Sequence, residues 1–371
     1  MNQFKGMIER GIMRVNKWLL WALICPIGGF AQALFEGTIV KNVQLPQMHH
    51  SSRLAAQQLS ERQDIALMQV HLSDTLKHRM VGRFADKTKA LNLLQIAEAI
   101  PSAVDLGMDT VPVLNQGIHG SCVTFAVTAA IDAILKKGDY VSQLCSLQLG
   151  RYIQSYGYVA SGWEGGLGAV ILGQVEAFGF MTKNNQREIG CGHLTEYPLL
   201  KNDLGQEMVL SDFHQYSESM VQNRIGWSNL VDIFQSIHDD IDGTKVLNQV
   251  KQSLIHGDRL IFGILLADYD KGLAGAVGTH KVFNDTWVIT PEIINDLREN
   301  PQFAGHEMLI VGYDDKAIAK DENGREYQGL IKVRNSWGDR IGDQGNFYMT
   351  YDYFRALVIE LQRIRQIRSR A

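Results

Sequence analysis

The sequence predicts an α+β fold, because segments with helical periodicity come early in the chain and short apolar runs typical of strands come late. Apolar residues make up 45% of the 371 residues, which is enough for a large buried core and too many for a disordered chain. The net charge of −4 lacks the basic excess that a nucleic-acid binder needs, so we expect no nucleic-acid partner. The composition therefore predicts a globular protein of one large or two ordinary domains.

Residues 1–33 are typical of a secretory signal peptide. Residues 1–17 carry four basic side chains against the single Glu9, residues 18–30 are apolar and uncharged, and Ala31-Gln32-Ala33 follows them. The apolar stretch contains Pro26 and is too short to span roughly 30 Å of hydrocarbon. We expect cleavage after Ala33 and no stable membrane anchor afterwards.

Residues 34–99 are predicted to be helical. There is no proline between Pro46 and Pro101, and the polar residues that surround the apolar ones indicate a segment that packs on another part of the protein. An apolar stripe at helical spacing is formed by Ile65, Met68, Leu72, Leu76, Met80 and Phe84.

The elements after Pro101 follow in a clear order. Ser121 to Leu135 reads as an apolar helix, ended by Lys136-Lys137-Gly138. Tyr269 to Gly305 is predicted to be a loop. Strand character is found in the runs Leu260–Leu266, Met308–Tyr313, Leu330–Val333 and Phe347–Tyr351.

A glycine-rich run places a cysteine in the first turn of the predicted helix. It reads Gln116-Gly117-Ile118-His119-Gly120-Ser121-Cys122. Unpaired backbone N–H groups and the helix dipole stabilise a thiolate there, and the thiolate is the nucleophilic form of cysteine. By itself this placement leaves open a buried structural cysteine. Two further runs favour a nucleophile: Gly305-His306 stands before a strand-like stretch, and Asn335-Ser336-Trp337-Gly338 follows another.

With these three runs the chain resembles the papain family of cysteine peptidases. The motifs Q-G-x-x-G-S-C, G-H-x-x-x-I-V-G-Y and N-S-W-G occur in the family's order, and the resemblance spans nearly all of Pro101 to Tyr353. It implies a two-lobed α+β fold, with a helical left lobe, a β-barrel-like right lobe and the active-site cleft between them. Residues 100–371 would form the catalytic domain and residues 34–99 a helical, inhibitory pro-region.

The resemblance also assigns roles to residues. Cys122 would be the nucleophile, His306 its proton partner, and Asn335 the holder of the imidazole ring. Gln116 would donate to the oxyanion of the tetrahedral intermediate, and Trp337, in the substrate cleft, would shield the His306–Asn335 hydrogen bond from water.

Substrate contacts are expected on both sides of the cleft. Gly165 and Gly166 lie where the family has glycines that allow close approach of an extended peptide. Glu307 follows the histidine where the family usually has a small residue that lines a substrate pocket. We therefore expect a narrowed or acidic pocket that favours small or basic side chains.

A disulfide of the family is lost here, since His119 and Trp163 occupy its two positions. Cys25 would leave with the signal peptide. We expect the remaining pair, Cys145 and Cys191, to form a compensating disulfide within the helical half.

The sequence thus predicts an exported cysteine endopeptidase made as a zymogen, which hydrolyses peptide bonds through a thioester acyl-enzyme. Its partners would be protein or peptide substrates and its own pro-region, and it would act as a monomer without cofactor or metal. The Asp314-Asp315 ending of the histidine run resembles bacterial members, so secretion or a periplasmic location is expected. Two alternatives stay open: acyl transfer to amines, as in transglutaminase-like enzymes, and a non-catalytic peptide-binding homologue.

Overall fold

The structure is a computed structural model that describes residues 33–45, 62–85, 100–157, 160–267, 276–299 and 302–367. The predicted signal peptide lies outside these residues except for its last position. The helices are α1 Asp74–Ala85, α2 Cys122–Leu135, α3 Gln143–Ser155, α4 Gly168–Phe178, α5 Lys183–Ile189, α6 Leu210–Tyr216, α7 Ile233–His238, α8 Gly243–Ile255, α9 Pro291–Glu299 and α10 Tyr351–Leu357. The strands are β1 Ala33–Gln44, β2 Arg62–Leu72, β3 Ala103–Asp105, β4 Ile225–Val231, β5 Arg259–Leu266, β6 Gly278–Thr279, β7 Thr286–Trp287, β8 Gln302–Asp321, β9 Glu326–Arg334, β10 Asn346–Thr350 and β11 Val358–Gln366.

The strand β8 organises the sheet, to which all strands of the described residues belong. Its first part pairs antiparallel with β2 and β5, and its later part pairs with β3 and β9. Strand β11 pairs with both β4 and β5 on the far side. Because β8 has partners on both edges at residues 304 and 305, the residue that follows, His306, stands in rigid backbone.

The helical half is built around α2. Nearly all of its residues are buried, and its apolar side chains share a core with Ile261 of β5 and with Leu309 and Val311 of β8. The helix begins directly after Ser121, as predicted, and Lys136 ends it with a left-handed φ of 56°. Helix α2 therefore fixes the preceding loop, residues 116–121, against the sheet.

The disulfide expected in the helical half is present. Cys145 in α3 is bonded to Cys191, and their Cα atoms are 5.0 Å apart. Both cysteines are fully buried in a core that includes Trp163 and Phe213. The disulfide thus ties the segment after α5 to the helix that packs beside α2.

The two-lobed α+β prediction is confirmed. Three predicted strand runs lie inside β5, β8 and β9, and the fourth lies in β10 except for its last residue, Tyr351, which begins α10. The prediction of a loop over Tyr269–Gly305 was wrong in part. The described portion of that range contains β6, β7, α9 and the beginning of β8. Helix α9 buries Ile293 and Leu297, so its amphipathic pattern was the signal that the loop interpretation overlooked.

Within the described part of residues 34–99, the prediction of helix holds only for α1, which buries Leu76 and Met80. Strands β1 and β2 form an antiparallel hairpin instead. All four residues of the run Ile65-Ala66-Leu67-Met68 are buried, as in a strand covered on both faces. From the sequence alone, such a short apolar run is compatible with either a helix or a strand. Pairing with β8 decides in favour of the strand.

Candidate active site

The thiol of Cys122 lies at the first residue of α2 and is 1% exposed. Burial is the largest influence on it and raises the pKa of the Cys122 thiol to about 12. The negative charge of Glu307 acts in the same direction, while backbone N–H groups of Glu307 and Val123 oppose it. In this closed structure the thiol is therefore protonated.

The imidazole of His306 is held by two contacts. One ring nitrogen, Nε2, lies 2.7 Å from Oδ1 of Asn335, and the ring stacks on Trp337 with 4.5 Å between centroids and 23° between planes. The other nitrogen, Nδ1, is buried without a hydrogen-bond partner. Burial lowers the pKa of His306 to about 4, against the opposing effect of the Asn335 hydrogen bond.

Cys122 and His306 line the same small cavity, together with Gly166 and Glu307. A thiol and an imidazole that are both neutral and both enclosed can exchange a proton once water enters, because hydration favours the charged forms that burial disfavours. The structure thus brings the predicted nucleophile and its predicted proton partner together in an uncharged state.

Gln116 is fully buried and fixed from both sides of the cleft. Its backbone N–H donates to the carbonyl of Ser336 at 2.8 Å, and its Oε1 accepts from Ser336 Oγ at 2.6 Å. Its Nε2 donates to the carbonyl of His119 at 2.9 Å and to the carbonyl of Ala66 in β2 at 3.1 Å. The side-chain donor that the resemblance assigns to an oxyanion is therefore occupied by a carbonyl of β2.

Strand β2 fills the cleft along its length. Gln63 donates from Nε2 to the carbonyl of Trp337 at 2.5 Å, and Met68 lines the cavity of Cys122 and His306. Met68 is also paired with Gly305 in the β2–β8 register. A Cβ on Gly165 would come within 3.0 Å of the Met68 side chain, so the glycine that was expected to face substrate faces β2 instead.

The acidic pocket predicted from Glu307 contains a second carboxyl. Glu307 and Glu360 are both buried and line the cavity beside Met68. Burial and the charge of Glu360 raise the pKa of Glu307 well above its usual value, and burial raises the pKa of Glu360 to about 7. Backbone N–H of Gly168 and Nε2 of Gln362 donate to Glu360, whereas Oε1 of Glu307 has no partner.

Sequence reasoning missed Ala66, Met68 and Glu360. The first two were hidden by the helical interpretation of residues 34–99. Glu360 had a visible signal, because it is the only charged residue in the apolar run from Ala356 to Leu361, where a buried carboxyl needs an explanation.

The fold and this set of residues resemble those of papain-like cysteine peptidases. Residues 235–365 match the model of the Peptidase C1-like family, a range that includes His306 and Asn335. No curated protein sequence matches the chain.

Several solved structures are similar to the chain. Xylellain, a cysteine protease from Xylella fastidiosa, is 20% identical over 76% of this chain and 90% of its own, with a TM-score of 0.47. The digestive procathepsin L 3 of Tenebrio molitor is 16% identical over 72% and 70%, with a TM-score of 0.44. The protease and lectin-like domains of Cwp84, a surface layer associated protein of Clostridium difficile, are 16% identical over 74% and 54%, with a TM-score of 0.47.

None of the described helices combines the length and the apolar character needed to cross a membrane. Within the described residues, no three His, Cys, Asp or Glu side chains are grouped so that they could hold a metal ion.

Proposed function

We propose that the chain is an exported cysteine endopeptidase, made as a zymogen, which acts through Cys122, His306 and Asn335. The observation that carries the proposal is the His306–Asn335 hydrogen bond of 2.7 Å beneath Trp337, in the wall of a cavity that Cys122 also lines. A neutral Nδ1 without a partner is a proton acceptor, and the thiol that lines the same cavity is a proton donor.

The reaction begins when His306 takes the proton of Cys122. The thiolate attacks the carbonyl carbon of a peptide bond, and Gln116 Nε2 and the backbone N–H of Cys122 donate to the oxyanion that forms. The intermediate collapses to a thioester as the C–N bond breaks, and the leaving amine takes the proton from His306. Water then attacks the thioester, His306 takes one of its protons, and the acid product and the thiol are released.

The zymogen part of the proposal is supported by β2. Its Ala66 carbonyl occupies the Gln116 donor, and its Met68 side chain covers the cavity. The hairpin and α1 are also tied to the right lobe, because Ile65 and Leu67 of β2 and Leu76 and Met80 of α1 share a buried core with Phe262 and Trp287. A substrate cannot enter until this segment leaves, so release of β2 is the activating step.

The pocket of Glu307 and Glu360 supports a preference for basic side chains at the second substrate position before the scissile bond. The buried Oε1 atoms of Glu307 and Gln362 both lack donors, and an ammonium or guanidinium group supplies them. Bulky aromatic side chains are excluded in this proposal because they leave these oxygens unpaired. A peptide library that preferred Phe or Leu at this subsite would contradict it.

The nucleophile is tested by labelling the full-length chain with a peptide epoxide before and after limited proteolysis. We expect labelling to rise on proteolysis and to be absent in Cys122→Ala, because only a thiolate at this position opens the epoxide. Labelling that persists in Cys122→Ala would refute the assigned nucleophile. Absence of labelling in the opened wild type would favour the non-catalytic peptide-binding homologue.

The same opened enzyme distinguishes hydrolysis from acyl transfer. With a peptide substrate and added primary amine, we expect the free acid as the main product, since water reaches the thioester. A dominant amide of the added amine would favour the transglutaminase-like alternative.

Export is tested separately by the N-terminal sequence of the secreted or periplasmic protein, expected to begin at Leu34 or later.

A further inference from the structure

A segment behind the nucleophile loop has no role in the mechanism above. We call residues 116–121 the nucleophile loop and residues 197–199 the back segment. The Tyr197 hydroxyl donates to the backbone carbonyl of Gln116 at 2.9 Å, and Ser121 Oγ lies 2.8 Å from the same hydroxyl. Since the Tyr197 proton points to Gln116, Ser121 is the donor in the second bond.

Two further contacts join the back segment to the loop. The carbonyl of Pro198 is 2.8 Å from Nε2 of His119, and the carbonyl of Leu199 accepts from the N–H of Ile118 at 3.2 Å. Gly117 has φ +60°, and a Cβ there would lie 1.9 Å from the Leu199 oxygen, so the two backbones are in direct contact. The loop is thus supported from behind along its length.

The Tyr197 ring is fixed by aromatic neighbours. It stacks on Trp163 with 5.6 Å between centroids and 14° between planes, and the edges of His119 and Phe125 meet it at 5.8 Å and 5.1 Å. His119 and Trp163 themselves are in edge contact at 5.1 Å. The two positions at which the resemblance leads one to expect a disulfide are therefore joined by an aromatic cluster that includes Tyr197.

The phenol is suited to a permanent donor role. Burial raises the pKa of Tyr197, and the nearby Ser121 hydroxyl opposes this effect without cancelling it. The disulfide Cys145–Cys191 ends six residues before Tyr197 and anchors the chain that leads into the back segment. The hydroxyl therefore meets Gln116 from a fixed position.

We propose that Tyr197 is a positioning residue for the oxyanion hole: by holding the Gln116 backbone carbonyl it directs the Gln116 side-chain donor towards the reacting carbonyl. The inference rests on the proposed function. Removing an oxyanion donor entirely costs about 10² to 10³ in kcat. Loss of the restraint behind the donor leaves the donor present but misdirected, so a smaller loss of roughly tenfold in kcat is expected.

The test compares Tyr197→Phe with Tyr353→Phe in the full-length chain, activated by limited proteolysis, with active sites counted by epoxide titration. Tyr353 is a matched control, because its buried hydroxyl also makes two backbone contacts, with Leu265 and Ala267, and its ring lies in a core that contains no residue of the nucleophile loop. For a peptide amide substrate, we expect Tyr197→Phe to lower kcat per titrated site about tenfold with little change in KM. Tyr353→Phe should keep the wild-type kcat per site.

A second readout separates positioning from general stability. Alkylation of Cys122 by iodoacetamide displaces iodide at a saturated carbon and forms no oxyanion, so its rate per folded molecule should change less than twofold in Tyr197→Phe. Equal losses in hydrolysis and alkylation, or a wild-type kcat, would overturn the proposal.

If Tyr197→Phe fails to fold, Ser121→Ala replaces it: a lowered kcat supports the proposal and an unchanged kcat overturns it. A wild type that titrates no sites contradicts the proposed function instead.

Discussion

A single neutral hydrogen bond, together with the stacking on Trp337, sets the orientation of the His306 ring. Asn335 Oδ1 accepts from Nε2 at 2.7 Å, and it also accepts from the backbone N–H of Ser336, which fixes the amide. Because Nε2 donates here, Nδ1 is the nitrogen left for the thiol. Asn335 thus selects the ring nitrogen as well as the ring angle.

Substitution Asn335→Ala should lower kcat/KM of the activated enzyme by roughly tenfold, the equivalent of one hydrogen bond of about 1.4 kcal/mol. The hydrogen bond raises the pKa of His306, so its loss favours the neutral imidazole and reduces the share of thiolate–imidazolium pair. Steady-state kinetics on titrated sites provides the measurement.

Asn346→Ala is the matched control for Asn335→Ala. Asn346 lies in the same lobe and accepts from Arg334 Nε at 3.0 Å, whereas the hydrogen bond of the histidine is made by Asn335. We expect it to cost stability and to leave kcat/KM per titrated site near the wild-type value. A kcat/KM in Asn335→Ala equal to that in Asn346→Ala would contradict the assigned role of Asn335.

Among the elements, β2 changes the chemistry of the site most. It enters the sheet between β1 and β8 and places Ala66 and Met68 over the catalytic groups. By excluding water it favours the neutral thiol and the neutral imidazole, whose pKa values are about 12 and about 4 in the closed state. In the proposed zymogen, the active site is therefore blocked sterically and is also electrostatically inactive.

Met68→Asp should open the cleft in the uncleaved chain. Met68 is 6% exposed, and a carboxylate at this position would be buried next to Glu307 and Glu360, where like charges and desolvation both oppose it. We expect the iodoacetamide reaction of Cys122 in the uncleaved chain to be at least tenfold faster than in wild type, followed by mass spectrometry.

The control for Met68→Asp is His71→Asp, at an exposed position of the same strand that also pairs with β8. It adds the same charge without burying it, so Cys122 should react at the wild-type rate. If both variants expose Cys122 equally, the strand is merely destabilised and the Met68 contact is not what closes the cavity.

An element can be predicted from the sequence when the residues that determine it are neighbours in the chain. Helix α2 and its glycine-rich entry were predictable because loop, cap and apolar face are consecutive residues. The strand β2 was not, because Ile65 and Met68 fit a helical stripe and only pairing with distant β8 excludes it. Tyr197 was missed for the same reason, since its partners lie on separate elements.

At the scale of the molecule, Glu360 connects the two lobes. It stands on β11 of the sheet and accepts from the N–H of Gly168 at the beginning of α4, at 3.1 Å. Within its surroundings, Glu307 and Asp232 carry charge of the same sign, and no cation is among the groups that influence it most. The lobes therefore meet through a carboxyl that is more stable when neutral.

This arrangement makes stability depend on pH in a defined direction. The folded pKa of Glu360, about 7, is raised above the usual value of 4.5, so the folded state holds the proton more tightly than the unfolded chain. The stabilisation is complete below pH 4.5 and is lost as the pH rises through 7. For a shift of this size the loss is up to about 3 kcal/mol, and Glu307 contributes in the same direction.

Glu360→Gln should flatten the pH dependence of stability. The amide keeps an oxygen that accepts the hydrogen bond from Gly168, and it does not ionise. We expect the free energy of unfolding of the full-length wild type, measured in denaturant between pH 4.5 and 7.5, to fall with pH more steeply than that of Glu360→Gln. The exposed Glu322→Gln serves as the control and should follow the wild type. Parallel curves for wild type and Glu360→Gln would show that Glu360 is ionised throughout this range, and the carboxyl pair would then contribute no pH-dependent stability to the contact between the lobes.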